Sequence, residues 1–429
     1  MAYTAELIAV GTELLLGNIA NTDAQMISEG LSALGINVYY HTVVGDNPAR
    51  LRSAVEIAKK RADIIITTGG LGPTCDDLTK QTLAESFGLP LDFDQASADR
   101  IAAFFQRLHP ARPMTENNLQ QAMLPRGCTI FSNDWGTAPG CAFEAEGVRV
   151  LMLPGPPREC RAMFTHRALP YLRSLADGTI VSRTLKIFGM GESAVESLLR
   201  ERMNAMTNPT LAPYAKEGEV ELRITAKAPT DGEARALIAP VEAELRQLLG
   251  DLVYGVDIHS MEEAAFALME AQGLTLGTAE SCTGGLIAKR ITDLPGASAV
   301  LKGGIVSYTN EVKHGVLGVP QELLDQYGAV SVEVARAMAQ GARRVLGCDL
   351  AVSTTGVAGP DPDDRGNPVG LVYVALAGPD FCHVRTVHLG SGRERVRNLA
   401  ANHAFDLVRR YLSGLPSEEG AGTKDGERG

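Results

Sequence analysis

Short apolar runs alternate with stretches of helical spacing through the first part of the chain. Glu6-Leu7-Ile8-Ala9-Val10 predicts a first strand. Asn21 or Thr22 suits the N-cap of the helix that follows, and Asp23 suits its first turn. Leu31, Leu34 and Ile36 close that helix onto a second strand, Val38-Tyr39-Tyr40-His41-Thr42-Val43-Val44. A helix from Arg50 to Lys60 and a third strand from Ile64 to Thr67 come next. Strands alternating with helices predict a parallel sheet. A helix around 99–108 follows, then a strand at Val148–Leu153 that runs into Pro154-Gly155-Pro156-Pro157-Arg158-Glu159. Proline fits the first turn of the helix expected there.

The texture changes from about residue 175. Ile180–Phe188 reads as a strand, Glu192–Ala205 as a helix, Val220–Ala226 as an alternating half-buried strand and Asp231–Leu249 as a second helix. From 259 the α/β alternation returns. Met261–Gln272 predicts a helix and Leu274–Ala279 a strand, and Glu280-Ser281-Cys282-Thr283-Gly284-Gly285 opens the next helix. A strand over 302–310 leads into Glu311-Val312-Lys313-His314. The fold class expected is α/β, with two separate three-layer α/β domains joined by a small α+β module. The boundaries are 1–170, 175–255 and 259–413, with a Gly-, Glu-, Ser- and Lys-rich tail at 416–429 expected to be disordered.

One wording occurs twice at strand ends. Thr67-Thr68-Gly69-Gly70-Leu71-Gly72-Pro73-Thr74-Cys75-Asp76-Asp77 follows an apolar run, and Thr354-Thr355-Gly356-Val357-Ala358-Gly359-Pro360-Asp361-Pro362-Asp363-Asp364 follows another. Duplication and chance convergence both account for the pattern. A strand, glycine loop and helix start is where α/β sheets bind anions, because free backbone N–H groups and the helix dipole face the ligand. Gly69, Gly70 and Gly72 let backbone approach phosphates, while Asp76 and Asp77 can hold a divalent cation that bridges to one. Asp77 as a helix cap is the plainer alternative.

Bulk properties narrow the functions. At 429 residues two or three domains are expected. A net charge of −11 argues against sequence-independent nucleic-acid binding. No apolar run approaches a membrane span, and the N-terminus lacks the pattern of a signal peptide, so a cytoplasmic location is expected. The seven cysteines are scattered without a C-x-x-C pair, which fits reduced thiols better than disulfides or a zinc site.

The motifs also carry a family resemblance. The opening G-T-E-L, the T-T-G-G-L-G-P-T-x-D-D loop and L-P-G-P-P-x-E resemble the molybdopterin-binding fold of molybdenum-cofactor biosynthesis, in the form found in the CinA (competence/damage-inducible) family. The 175–255 stretch is similar to the KH-like insert of that family, although it has no G-x-x-G loop, which weighs against RNA. Thr278–Gly285, Tyr308–Lys313, Gly328–Ser331, Thr355–Pro360 and Gly392-Arg393 resemble the family's C-terminal domain, which hydrolyses the carboxamide of nicotinamide mononucleotide. The resemblance implies Ser281 as nucleophile with Lys313 and Tyr308 as the basic pair. It implies substrate contacts at Gly284, Gly285, Thr355, Gly356, Arg393 and Arg397. For the first domain it implies ADP-ribose hydrolysis dependent on Mg, Mn or Co, with Glu13 and Asp23 beside Asp76 and Asp77 as ligands or base; the amidase needs no cofactor. Small nucleotides are the expected partners, with no nucleic acid, no membrane and a homodimer. Cys282 as nucleophile, His314 as base and Ser281 as a helix N-cap remain alternatives. Molybdenum-cofactor chemistry and a non-enzymatic competence or damage role are the rival functions.

Overall fold

The structure is a computed structural model that describes residues 3–108, 114–175 and 178–417. The expected disordered tail falls almost wholly outside these residues. The chain forms two compact units, Met1–Val181 with Ala226–Ala236, and Ser182–Thr225 with Leu237–Gly429.

The first unit is built on a six-stranded sheet. Its order is Asn37–Val44, Thr4–Val10, Ile64–Thr68, Val148–Leu153, Gly140–Ala145 and Thr129–Phe131. The first four strands are parallel, and the last two add antiparallel at the edge. Alternation sorts the side chains between the two faces. Ile64, Ile66, Leu151 and Leu153 pack with Ile27 and Leu31 of the helix Thr22–Ala33. Ile65, Val150 and Met152 pack with Leu51 and Val55 of the helix Pro48–Ala58. Asn21 and Asn47 cap these helices, accepting 3.0 Å bonds from Ala24 N and Arg50 N.

The order of strands reverses about Thr4–Val10, and ligand crevices form outside the carboxyl ends of strands at such a point. The loop after Thr68 closes tightly there. Gly69 has φ +91°, and a Cβ on it would lie 2.2 Å from the carbonyl oxygen of Val10, so only glycine fits.

The second unit carries a five-stranded sheet in the order Leu301–Val306, Leu276–Glu280, Leu350–Gly356, Leu371–Ala377 and Cys382–His388. Its first three strands are parallel and its last two antiparallel. Helices Met261–Gln272, Leu286–Thr292 and Arg393–Leu412 cover one face, and Gln321–Tyr327 with Val332–Leu346 the other. The middle segment forms a four-stranded sheet ordered Thr210–Lys216, Glu219–Ala228, Thr179–Phe188 and Val253–Val256.

The middle segment is not a free-standing spacer. Phe188 and Tyr254 lie in the same apolar core as Met261, Val396 and Phe405, and the Phe188 ring meets His403 edge-on at 4.9 Å. Truncating a buried Phe in a shared core costs ~3–5 kcal/mol. Phe188→Ala is therefore expected to lower the stability of the second unit by about that amount. Urea unfolding of the full chain checks this, and no loss would show that the two parts do not support each other.

Candidate active site

Ser281 follows the central strand Leu276–Glu280, where the backbone turns into the helix Leu286–Thr292. Its N–H is fixed to Thr354 O at 2.9 Å, and its carbonyl accepts from Gly284 N at 3.1 Å. The helix is capped by another residue. The buried carboxylate of Glu280 accepts from Ile287 N at 3.0 Å, from Ala288 N at 2.9 Å and from the Thr278 hydroxyl at 3.0 Å. The N-cap position itself is Gly285. The Ser281 hydroxyl is therefore not occupied in capping.

Lys313 is 1% exposed and reaches Ser281 from the short helix Asn310–Gly315. Its Nζ lies 3.2 Å from Ser281 Oγ and donates to Ser307 O at 2.8 Å. Burial disfavours the charged amine and brings its pKa down to about 8, with Cys282 and Glu311 opposing the shift. A lysine in this state is half neutral near pH 8 and increasingly neutral above it, which is the state a base requires.

The alternatives separate on geometry. Cys282 is buried, and burial pushes its thiol up to about 12, away from the reactive thiolate. His314 donates from Nδ1 to Val319 O at 2.8 Å. Tyr308 is 57% exposed, and its hydroxyl accepts from Arg393 Nη2 at 3.1 Å. Its contact with Lys313 is through its backbone carbonyl, 3.4 Å from Lys313 Nζ. Of the three residues expected to be catalytic, the structure brings Ser281 Oγ and Lys313 Nζ together and turns the Tyr308 hydroxyl toward Arg393.

The substrate-contact candidates also divide. Arg393 donates to Gly359 O at 2.8 Å and stays exposed. Arg397 holds Thr283 O from Nε at 3.3 Å and Nη2 at 2.9 Å, and its guanidinium lies beside Gly284. Thr355 is buried, and its hydroxyl donates to Ala329 O at 2.6 Å, so it braces the strand end beside Gly356. Gly285 opens the helix after the nucleophile turn. Sequence reasoning missed Glu280 and Ser307. The signal for Glu280 was a carboxylate at a strand end just before a glycine turn.

In the first unit Glu13 and Asp23 line a cleft with Asn21, Thr22, Thr68 and Gly155. Gly69 and Gly70 stand at the neighbouring strand end, both with positive φ. Asp76 and Asp77 are not part of that lining. Asp77 neither caps a helix nor faces the cleft. Its Oδ2 accepts from Thr74 N at 2.9 Å and from the Thr74 hydroxyl, stapling the loop on itself beside Gly72. The carboxyl of Asp23 is raised by burial and bonded to the Cys160 thiol. Among the described residues no group of three or more His, Cys, Asp or Glu side chains could hold a metal ion. Of the four acids expected as metal ligands, Asp77 staples its own loop, Asp76 is exposed, and Glu13 and Asp23 line the cleft together.

Comparison with known proteins follows the same division of the chain. Three family models match: "Probable molybdopterin binding domain" at 6–174, "Damage-inducible protein CinA KH domain" at 182–255 and "CinA C-terminal domain" at 258–412. A competence-damage inducible protein of Caldanaerobacter subterraneus is 49% identical over 409 residues, covering 95% of this chain and 98% of that one. The chain belongs to the CinA family. A second CinA relative, from Acetivibrio thermocellus, is 48% identical over 96% of this chain and 99% of its own. A solved CinA structure from Thermoplasma acidophilum is 32% identical, covers 40% of this chain and 98% of its own, and has a TM-score of 0.36. No helix among the described residues is long and apolar enough to cross a membrane.

The Glu280 cap has a measurable consequence. Glu280→Ala would leave one buried and one part-buried N–H group without a partner, and a buried one costs ~1–3 kcal/mol. A loss of stability of that order is expected in thermal or urea unfolding. An unchanged midpoint would show that the carboxylate does not hold the helix start.

Proposed function

We propose that the second unit is a serine amidohydrolase that converts nicotinamide mononucleotide to nicotinate mononucleotide and ammonia. The observation that carries this is the buried 3.2 Å contact between Ser281 Oγ and Lys313 Nζ. A serine hydroxyl is a weak nucleophile and needs an adjacent base. Neutral Lys313 takes the hydroxyl proton as Oγ attacks the amide carbon, then returns it to the departing nitrogen, which leaves as ammonia. The resulting ester is cleaved by a water that Lys313 deprotonates, regenerating Ser281 and releasing the carboxylate. Arg393 bonds the Tyr308 hydroxyl and Arg397 the Thr283 carbonyl two residues past Ser281, and guanidinium groups so placed suit a nucleotide phosphate.

For the first unit we propose a nucleotide ligand of the ADP-ribose type in the cleft at the strand ends. The loops after Val10, Thr68 and Leu153 meet there, and backbone N–H groups at such ends favour phosphates. Among the described residues the carboxylates do not gather into a group that could hold a divalent metal. In the middle module Arg183, Lys186, Arg200, Arg202 and Arg246 each face a glutamate within 3.0 Å.

Ammonia release from nicotinamide mononucleotide tests the amidase. Lys313→Ala is expected to lower turnover by on the order of 10²–10⁴, the range for losing a general base, and His314→Ala far less. The reverse order would assign the base to His314. Ser281→Ala should abolish ammonia release while leaving any AMP release from ADP-ribose within a few-fold of wild type. Loss of both activities in a folded Ser281→Ala protein would overturn the assignment of the two chemistries to separate sites.

A further inference from the structure

The helix Arg393–Leu412 is gripped from two sides. On one side Arg397 holds the carbonyl of Thr283, two residues beyond the candidate nucleophile. On the other lies the turn that joins strands Thr210–Lys216 and Glu219–Ala228 of the middle module. Asn398 donates to Glu217 at 3.3 Å, and one helical turn on Asn402 donates to Glu219, also at 3.3 Å. Between them Leu399 presses on Gly218. That glycine has φ +76°, and a Cβ there would lie 2.1 Å from Leu399 Cδ2.

Asn402 is the node of a wider network. It is 4% exposed, and its Oδ1 accepts from Arg290 Nη1 at 2.8 Å. Arg290 belongs to the helix Leu286–Thr292, which starts just after the nucleophile turn, and its other arm pairs with Glu262. Glu219 in turn accepts from the Tyr254 hydroxyl. One amide therefore joins the middle module, the helix that carries Arg393 and Arg397, and the helix that follows Ser281. Buried polar groups of this kind fix geometry, because losing one partner leaves the others without a bond in a dry setting.

We infer that the Glu217-Gly218-Glu219 turn is a clamp on the C-terminal helix, and that Asn402 is a positioning residue that sets Arg397 against the nucleophile turn of the amidase site. The inference deepens the amidase assignment and rests on it for its kinetic readout. The clamp does not touch Ser281 or Lys313. It acts on the guanidinium of Arg397, which holds the nucleophile turn and is assigned above to the substrate phosphate, so it governs substrate binding more than the chemical step.

The test uses the purified full chain, with steady-state ammonia release from nicotinamide mononucleotide and hydrogen–deuterium exchange on each variant. Asn402→Ala is expected to raise KM about tenfold with kcat within threefold, as for loss of an interaction made in both ground and transition states. It should also speed exchange at Thr283–Gly285. Gly218→Ala, which strains a positive-φ turn and presses on Leu399, should raise KM in the same direction. A merely structural role predicts kcat and KM changing together and exchange that speeds evenly across the second unit. Unchanged exchange at Thr283–Gly285 in folded Asn402→Ala, or faster exchange spread evenly over the second unit, would overturn the clamp. If the wild-type chain releases no ammonia, the amidase assignment fails separately, and the exchange at Thr283–Gly285 alone decides the clamp.

Discussion

The candidate site depends on keeping one amine dry. Lys313 is enclosed between the nucleophile strand and its own short helix, and its Nζ has carbonyl oxygens and a hydroxyl around it rather than a carboxylate. Carbonyls accept its N–H bonds without offering a full negative charge, so desolvation outweighs the opposing fields and the neutral form becomes accessible. Much of the surrounding design follows from this. Glu280 is fully engaged by the helix start it caps, and Cys282 stays a neutral thiol in the core. A free carboxylate at either place would recharge the lysine.

The two strand-end loops illustrate how little a shared wording fixes. After Thr68 the chain turns and enters the helix Thr79–Ser86, with Asp77 stapled to Thr74. After Thr355 it makes a wide loop and returns as an antiparallel strand, Leu371–Ala377. There the first aspartate of the pair, Asp363, does the stapling, accepting from Arg365 N at 3.0 Å and Asn367 N at 2.8 Å. Different acids and different exits favour convergence over duplication. In both loops an acid that looks like a cation ligand spends its oxygens on nearby backbone N–H groups.

The parallel strands were legible because isoleucine, valine and leucine alternate cleanly between two buried faces, as at Ile64-Ile65-Ile66. The antiparallel strand Gly140–Ala145 was not, because Gly-Cys-Ala-Phe-Glu-Ala has no β-branched residue and opens on a glycine directly after Pro139. The Ser281–Lys313 pair is 32 residues apart in sequence, and family resemblance, not spacing, brought it forward. Side-chain direction was the information that sequence lacked. It turned the Tyr308 hydroxyl to Arg393, Thr355 to Ala329 and Asp77 to Thr74. The shared core of the middle module was equally hidden, since Phe188 and Tyr254 match an independent module as well as an interface.

The state of Lys313 is the claim on which the chemistry turns, and its titration tests that claim most directly. The side-chain Cε resonance of Lys313, assigned by its absence in Lys313→Arg, can be followed with pH in the full chain. The account predicts a midpoint near 8. A midpoint at the ordinary lysine value of about 10.4 would leave the amine charged at neutral pH and would contradict its role as the base.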